Sequence, residues 1–480
     1  MRIGLLPLYL ELYDRVCKPE QRRPLEIFYA QIAAQFRRKG LEVVEAKICR
    51  VKPEFAAAVE SFEKAGVDAM VTLHLAYSPS LESAEVFAKA RLPVIVLDTT
   101  PDFDFSPAQP PSKIMFNHGI HGVQDMCNLL VRNNKPFLIE AGHWQRSDVI
   151  NRVVKHVRAA RMAVAMQNAR VGQIGKPFAG MGDFAVLSSV LEQKLGVQSV
   201  PCDFKDLGRL CKSISDREID AEVANNKRRF TLNPKITKAH ERSVRIGLAV
   251  RRWIEREKLT AFTVNFLEIN RANGLSAVPF LEASLAMARG IGYAGEGDVL
   301  TAALVHALAS VYPQTTFTEM FCPDWKGGTI FLSHMGEVNA ALLAGKPRLV
   351  EYDFIFGDAD NPVKPAGCLK KGKAVFVNLA PMPDDKFRLI LAPVIMKEPK
   401  GRDMFADSVR GWMKPALPVE SFLAEYSRAG GTHHAVLVYG GEINILENFG
   451  KFMGWEVAII GWRNCHENAQ SSQVFSGCHP

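Results

Sequence analysis

The first 170 residues alternate between short apolar segments and amphipathic segments, and this alternation restricts the possible folds more than any other feature. Apolar segments such as MRIGLLPLYL, VDAMVTLHL and LPVIVLDTT do not alternate strictly between polar and apolar residues. They are followed by segments with helical spacing, such as PLEIFYAQIAAQFRRKG. Buried strands joined by helices indicate a parallel sheet that is covered on both faces. We therefore predict an α/β domain over residues 1–170.

The pattern continues beyond this domain and then changes. Residues 171–326 again combine strands and helices, as in LTAFTVNFLEI and VPFLEASLAMARG. After Lys326, four apolar segments follow one another with Gly, Pro and Asp turns but no helices between them: GGTIFLSHMGEVN, RLVEYDFIFG, GKAVFVNLAPMP and FRLILAPVIMKE. This pattern is typical of an antiparallel β-unit. We predict a central α/β domain over 171–326, a β-rich domain over 327–464 and a loose tail over 465–480.

Composition and motifs argue against several classes of protein. The net charge of +8 is mild for 480 residues, and basic clusters such as Lys227-Arg228-Arg229 are short, so no nucleic-acid partner is predicted. No apolar run reaches the roughly 18 to 20 residues of a membrane span. Nine cysteines without a CxxC pair favour a reduced, cytoplasmic protein. The absence of GxGxxG and GxxxxGK[ST] at a strand–helix junction argues against a nucleotide site.

Four glycine-rich or strand-end segments carry polar side chains that are candidates for chemistry. They contain Glu296 in AGEGD, Glu319 in TTFTEMF, His334 in FLSHMGE, and His433 with His434 in AGGTHHAV. Taken singly, each has a structural explanation, since a glutamate or the nearby Asp298 is favourable at a helix N-terminus. Neighbouring residues on a strand point to opposite faces, so only one of the two adjacent histidines is expected to face a given site.

Taken together, these residues suggest a metal site. Two carboxylates and one or two imidazoles suit Mn²⁺, and also Co²⁺ or Fe²⁺. Such an ion can polarise a carbonyl group and orient the oxygens of a sugar. Two carboxylates placed around a hydroxy-carbonyl group can also move protons between adjacent carbon atoms. Spacing alone does not show that the four segments meet in space.

The same segments carry a resemblance to a known family. GLSAVPFLEASLAMARGIGYAGEGDVLTAAL, TTFTEMF, LSHMGEVN and AGGTHHAV, in this order, resemble the central and C-terminal signature segments of the L-arabinose isomerase family and, more distantly, of the L-fucose isomerases. LHLAYSPS and FNHGIHG are similar to two N-terminal segments of that family. The expected fold class is α/β. Two parallel-sheet α/β domains, the first flavodoxin- or Rossmann-like and the second central, precede a β-rich, antiparallel, barrel-like C-terminal domain.

The resemblance implies a metal-dependent aldose–ketose isomerase that acts on a pentose or deoxyhexose, with L-arabinose as the default substrate. It assigns the metal to Glu296, Glu319, His334 and His434, and proton transfer through an enediol to the two glutamates. It implies substrate contacts for His433, His121, Tyr77, Met181 and His118. It also implies a homo-oligomer, a hexamer or trimer with active sites at subunit interfaces, in which His121 reaches a neighbouring subunit's site.

The sequence departs from the family pattern around the sugar. The family's Gln-His-Leu-Tyr loop after the first strand is replaced by PLYLELYD, and His118 stands where the family has Gln. The run after Glu319 is MFCP in place of Asp-Tyr-Thr-Tyr. The resemblance therefore implies the reaction class and leaves three alternatives open: L-arabinose, L-fucose or another aldose as substrate, or an inactive sugar-binding or regulatory relative.

Overall fold

The computed structural model describes residues 1–16, 19–399 and 401–461, and within these ranges the strands form three sheets. The tail predicted over 465–480 lies outside the described residues. Within the same ranges, every helix is too short or too polar to cross a lipid bilayer.

The N-terminal sheet is parallel throughout, as the alternating pattern predicts. Its strands are β1 (Arg2–Leu8), β2 (Glu42–Glu45), β3 (Ala69–His74), β4 (Val94–Asp98) and β5 (Phe137–Ala141), in the spatial order β2-β1-β3-β4-β5. The helices are α1 (Glu11–Val16), α2 (Arg23–Arg38), α3 (Lys52–Ala65), α4 (Ser80–Lys89), α5 (Ile114–Asn117), α6 (Ile120–Arg132) and α7 (Val149–Gln167). Buried side chains of α2 and α7 cover one face of the sheet, and those of α3, α4 and α6 cover the other. This is the flavodoxin-like strand order.

A second, four-stranded parallel sheet occupies the centre of the chain. Its strands are β6 (Arg170–Ile174), β7 (Gln198–Pro201), β9 (Ala261–Val264) and β10 (Gly292–Gly295), while β8 (Thr231–Leu232) pairs elsewhere. The helices are α8 (Ser188–Val190), α9 (Phe204–Ser213), α10 (Asp216–Arg229), α11 (Thr237–Arg256), α12 (Phe280–Ala288) and α13 (Val299–Ala309). Helix α13 is apolar on all sides because it packs against α7, the central sheet and the C-terminal strands together.

The C-terminal part is built on a closed β-barrel. Its strands are β11 (Thr315–Asp324), β12 (Thr329–Ser333), β13 (Arg348–Glu351), β14 (Val363–Cys368), β15 (Gly372–Met382), β16 (Lys386–Lys397), β17 (Val409–Pro415), β18 (His434–Tyr439) and β19 (Glu456–Ile459), with α14 (Val419–Arg428) and α15 (Ile443–Phe452) outside. Six of them form an antiparallel ring in the order β16-β15-β18-β11-β12-β17, and the pairing of β16 with β17 closes it. Closure leaves no free edges in the ring. The predicted fold class is confirmed.

Strand β11, which carries Glu319, belongs to the barrel rather than to the central sheet. It follows α13 directly and turns back into β12, with which it pairs from Glu319 to Asp324. The domain boundaries at 170, 326 and 464 stay a prediction. The strand pairing nevertheless assigns β10, which Glu296 follows directly, and β11, which carries Glu319, to two different sheets.

Candidate active site

Glu296 lies directly after the last residue of β10 and has an unusual backbone conformation. Its φ is +63°, in the left-handed region that side chains other than glycine rarely adopt. The backbone is held there because its N–H donates to Val264 O at 2.8 Å and its carbonyl accepts from Phe178 N–H at 3.0 Å. The next residue, Gly297, has φ +84°, and a Cβ atom there would lie 2.5 Å from the Cα of Pro177. Backbone strain of this kind persists where the surrounding structure holds it, and it is concentrated at active sites and ligand clamps.

Asp298 is the N-cap of α13, as one of the sequence-based alternatives proposed. Its Oδ1 accepts a hydrogen bond from Thr301 N–H at 2.9 Å, and its other oxygen, Oδ2, accepts from His434 Nδ1 at 2.9 Å. Both Asp298 and His434 are fully buried. One carboxylate therefore caps the helix and orients a candidate metal ligand at the same time.

The register of the barrel brings Glu319 and His434 together. Glu319 on β11 is the direct partner of His434 on β18 and of Ser333 on β12. The pairing places His434 Nε2 3.2 Å from Glu319 Oε1, and His434 Nε2 also lies 3.4 Å from Glu296 Oε2. Sequence spacing could not predict this contact, because the two residues meet only through strand pairing.

His334 follows the end of β12 and is buried against Gly295. A Cβ atom on Gly295 would lie 2.8 Å from His334 Cε1, so glycine is needed for this approach. Glu337 accepts a hydrogen bond from His334 Nδ1 at 2.7 Å and another from Tyr293 Oη at 2.7 Å. His334 Nε2 is left facing Glu319 Oε1 at 3.8 Å.

His433 and His434 both face the cluster, and the expectation that only one of them would do so is wrong. The ring centroids are 4.4 Å apart, and His433 Nε2 lies 3.7 Å from Glu296 Oε2 and 3.6 Å from Glu319 Oε1. Strand β18 begins at His434, so the alternation of faces does not extend to His433 in the preceding turn. His433 is also more exposed, with 39% of its side chain accessible against none for His434.

The donor set fits a divalent cation. One ligand atom from each of Glu296, Glu319, His433 and His434 lies within 4.8 Å of the others. His334, the fourth predicted ligand, stands at the edge of this group. Two buried atoms in the group, Glu296 Oε2 and His434 Nε2, have no hydrogen-bond partner, although buried polar atoms are normally paired. A bound cation would pair both atoms, and carboxylate oxygens with imidazole nitrogens are suitable ligands.

The charges of the cluster influence one another. Burial opposes ionisation of Glu296, but the imidazoles of His433 and His434 outweigh it and lower the pKa of the carboxyl group to about 2. Burial acts against the charged form of His434, but Asp298, Glu296 and Glu319 raise its pKa well above the ordinary value. The pKa of His334 is raised against burial by Glu337 and Glu319. Without metal, protons on the imidazoles therefore balance the carboxylates.

The N-terminal residues implied by the resemblance make their contacts within the N-terminal part of the chain. Tyr77 donates to Asp125 Oδ2 at 3.1 Å, and His118 Nε2 hydrogen-bonds the hydroxyl of Tyr13 at 2.9 Å. The rings of His118 and His121 are 6.1 Å apart. Among the described residues, no hydrogen bond, ion pair or ring contact links these N-terminal side chains to the glutamates of the cluster. Their roles, and that of Met181, stay predictions.

Sequence reasoning missed several residues that contact the histidines directly, including Asp183, Glu337 and Phe184. Asp183 accepts from His433 Nδ1, Glu337 accepts from His334 Nδ1, and the ring of Phe184 stacks on His434 with centroids 4.8 Å apart. Glu337 lies three residues after His334, and Asp183 lies in the glycine-rich run GMGDF. A search for acidic residues in glycine-rich turns could have found Asp183, but only the fold shows which histidine it meets.

Known proteins with similar sequences identify the family. The model of the L-arabinose isomerase central domain matches residues 188–313, and that of the L-arabinose isomerase C-terminal domain matches residues 314–456. Together they cover more than half of the 480 residues. Both glutamates and all three histidines of the cluster lie inside the matched ranges.

Individual relatives agree with the domain matches. The L-arabinose isomerase of Lactiplantibacillus plantarum is 26% identical over 372 residues, which are 75% of this chain and 75% of that protein. The L-arabinose isomerase of Shouchella clausii is 28% identical over 353 residues, 72% of this chain and 71% of that protein. A solved periplasmic solute-binding protein from Actinobacillus succinogenes aligns with 65% of this chain and 91% of its own chain at 13% identity. The TM-score of this alignment is 0.17. With both domain models and relatives matched over about three quarters of their length pointing the same way, this chain belongs to the L-arabinose isomerase family and is an aldose–ketose isomerase, an intramolecular oxidoreductase.

Proposed function

We propose that this protein converts L-arabinose to L-ribulose with the help of a divalent cation, Mn²⁺ being the first choice. One observation carries the proposal: two carboxylates from different sheets and two imidazoles converge within 4.8 Å. The choice of L-arabinose as substrate rests on the relatives that are named L-arabinose isomerase. A cluster of two carboxylates and two imidazoles is more than a sugar-binding surface requires, which favours an enzyme over an inactive binder.

The cation would be held by Glu296, Glu319 and His434, with His334 or His433 as a further ligand. When bound, it supplies a positive charge that polarises the sugar carbonyl and orients its oxygens. His434 contributes Nε2, because its Nδ1 already donates to Asp298. Metal ligands are bound in the deprotonated form, so the protons that the raised imidazole pKa values retain must leave on binding.

The two glutamates are placed to carry out the proton transfer. One carboxylate removes the proton from C2 of the aldose while the carbonyl oxygen on C1 gains a proton, which produces a 1,2-enediol. Delivery of a proton to C1 and loss of the hydroxyl proton on C2 then produce the ketose. In the metal-free cluster the neighbouring imidazoles lower the pKa of Glu296 to about 2, so this carboxylate is ionised at neutral pH and available to bind a cation.

The working protein is proposed to be a homo-oligomer, a trimer or hexamer, in which His121 of one subunit completes the site of another. Two observations support this. Among the described residues of one chain, no hydrogen bond, ion pair or ring contact joins the N-terminal candidates to the cluster. The same end of the N-terminal sheet exposes apolar side chains, with Phe103 69%, Phe105 54% and Ile120 45% accessible. Sedimentation velocity of the purified protein would test this, and a monomer that is fully active would refute it.

The central experiment is isomerisation by metal-stripped protein to which Mn²⁺ is added back. The substrate panel includes L-arabinose, L-fucose, D-galactose and D-arabinose. Metal-dependent formation of L-ribulose supports the proposal, and preferential turnover of another aldose would replace the substrate while keeping the mechanism. The Glu296→Gln variant, prepared in parallel, is the control for contaminating isomerase from the expression host. Mn²⁺ binding without any turnover would refute the catalytic proposal in favour of a regulatory or sugar-binding protein.

A further inference from the structure

The three histidines of the cluster share one arrangement. In each, Nδ1 hydrogen-bonds a carboxylate; Nε2 of His433 and of His434 faces both glutamates, and Nε2 of His334 faces Glu319. The pairs are His334 with Glu337 at 2.7 Å, His434 with Asp298 at 2.9 Å, and His433 with Asp183 at 2.6 Å. The first two pairs are buried, whereas the side chains of His433 and Asp183 are 39% and 37% accessible. The third pair therefore lies on the side from which a sugar would enter.

Asp183 reaches His433 from a different part of the fold. It lies in the segment after β6, which belongs to the central sheet, whereas His433 precedes β18 of the barrel. A single oxygen, Asp183 Oδ2, accepts from both the backbone N–H of His433 at 2.9 Å and its Nδ1 at 2.6 Å. The next residue, Phe184, lies against both histidine rings. These contacts hold the segment with Asp183 and Phe184 against the histidines of the cluster.

The two hydrogen bonds determine what His433 can offer. A carboxylate that accepts from Nδ1 assigns the hydrogen of a neutral imidazole to Nδ1 and leaves the lone pair on Nε2. Nε2 then points at Glu296 and Glu319, 3.7 and 3.6 Å away. Because the ring is half-exposed, packing alone would not hold it in one rotamer. Asp183 is the charged group in direct contact with His433 Nδ1.

We propose that Asp183 is a positioning residue that holds His433 with Nε2 toward the sugar side of the cluster, where His433 orients the substrate. The proposal rests on the proposed isomerase function and deepens it. It assigns the buried pairs of His334 and His434 to the cation and the exposed pair of His433 to the sugar. It also makes the segment that carries Asp183 part of the active site.

The experiment compares Asp183→Asn and Asp183→Ala, each alone and combined with His433→Ala. We expect Asp183→Ala to lower kcat/KM by about tenfold or more, the usual effect of losing such a supporting carboxylate. The loss should appear mainly in KM for the sugar, with Mn²⁺ affinity unchanged. Asp183→Asn should recover part of the activity, because an amide oxygen still accepts from Nδ1. If Asp183 acts through His433, the double variants lose no more than His433→Ala alone.

A matched control separates this role from general anchoring of the segment. Glu268 accepts from the backbone N–H of Lys176 at 2.7 Å at the start of the same segment, but it makes no contact with His433. Glu268→Gln should therefore leave KM unchanged. A second readout needs neither metal nor turnover: in the metal-free protein, Asp183→Ala should speed amide hydrogen exchange at His433 and over residues 178–187.

The outcomes distinguish this inference from the proposed function. Additive losses in the double variants, or Mn²⁺ affinity that falls in step with activity, would overturn the positioning role of Asp183. A wild-type protein that neither binds Mn²⁺ nor converts any aldose would refute the proposed function instead. In that case the exchange measurement still decides the contact, since unchanged exchange in Asp183→Ala would show that Asp183 does not hold His433.

Discussion

Replacement of Asp298 is expected to reduce both the stability of the fold and the affinity for the cation, in separable amounts. The carboxylate makes two buried hydrogen bonds, from Thr301 N–H and from His434 Nδ1. Loss of the N-cap bond costs about 1 kcal/mol of unfolding free energy. Loss of a hydrogen bond to a charged partner costs about 1.5–3 kcal/mol. We therefore expect Asp298→Ala to lower the unfolding free energy of the metal-free protein by about 3 kcal/mol.

Asp298→Asn separates the two contributions. Asparagine caps helices as well as aspartate does, so the cap is kept while the negative charge beside His434 is lost. We expect Asp298→Asn to be less destabilising than Asp298→Ala. Both variants should bind Mn²⁺ about 10 to 100 times more weakly, which is the usual effect of removing a carboxylate that hydrogen-bonds a ligating histidine. This loss of affinity corresponds to about 1.4–2.8 kcal/mol of binding free energy.

The assay is urea unfolding in the presence of EDTA, together with calorimetric titration of Mn²⁺. Asp203 offers a matched control, since it caps α9 by accepting from Lys205 N–H at 2.9 Å on the protein surface, away from the histidines. Asp203→Ala should cost only the cap, about 1 kcal/mol, and leave Mn²⁺ affinity unchanged. Equal stability of Asp298→Ala and Asp203→Ala, or unchanged Mn²⁺ affinity in both Asp298 variants, would refute this reasoning.

Three further predictions concern the cluster itself. Glu296→Gln and Glu319→Gln should each abolish isomerisation, because an amide cannot accept the proton from carbon; near-normal ketose formation by either variant would contradict the acid–base roles. His434→Ala should retain less Mn²⁺ than His433→Ala, because His434 is buried and lies closer to both glutamates; equal metal content by elemental analysis would contradict this order. In the metal-free protein, the raised pKa of His434 contributes stability that is complete below about pH 6.5 and is lost as pH rises through the folded-state pKa. The lowered pKa of Glu296 acts in the opposite direction: its contribution to stability is present above about pH 4.5 and is lost as pH falls toward 2. Thermal melts at several pH values check this, and Mn²⁺ affinity should rise with pH over the same alkaline range, because cation and proton compete for His434 Nε2.

Much of the architecture could be predicted from local pattern. Apolar strands followed by helices required parallel sheets with both faces covered, and the loss of helices after Lys326 indicated an antiparallel unit. Glu296 was identifiable because a carboxylate between two glycines is unusual, and the structure shows that both Glu296 and the following Gly297 have positive φ. The pairing of β16 with β17, which closes the barrel, could not be predicted, since no short-range signal specifies it.

The sequence by itself determined the types of element, their order and the set of chemically capable side chains, because hydrophobic periodicity and turn residues act over a few neighbours. Tertiary structure alone decided which of those side chains meet. His434 reaches Glu319 through strand register, and it reaches Asp298 across 136 positions of sequence. His433 precedes the first residue of β18, and its Nδ1 meets Asp183 from the segment that follows β6 of the central sheet. Contacts of this kind depend on the relative placement of whole sheets, and residue spacing carries no information about that placement.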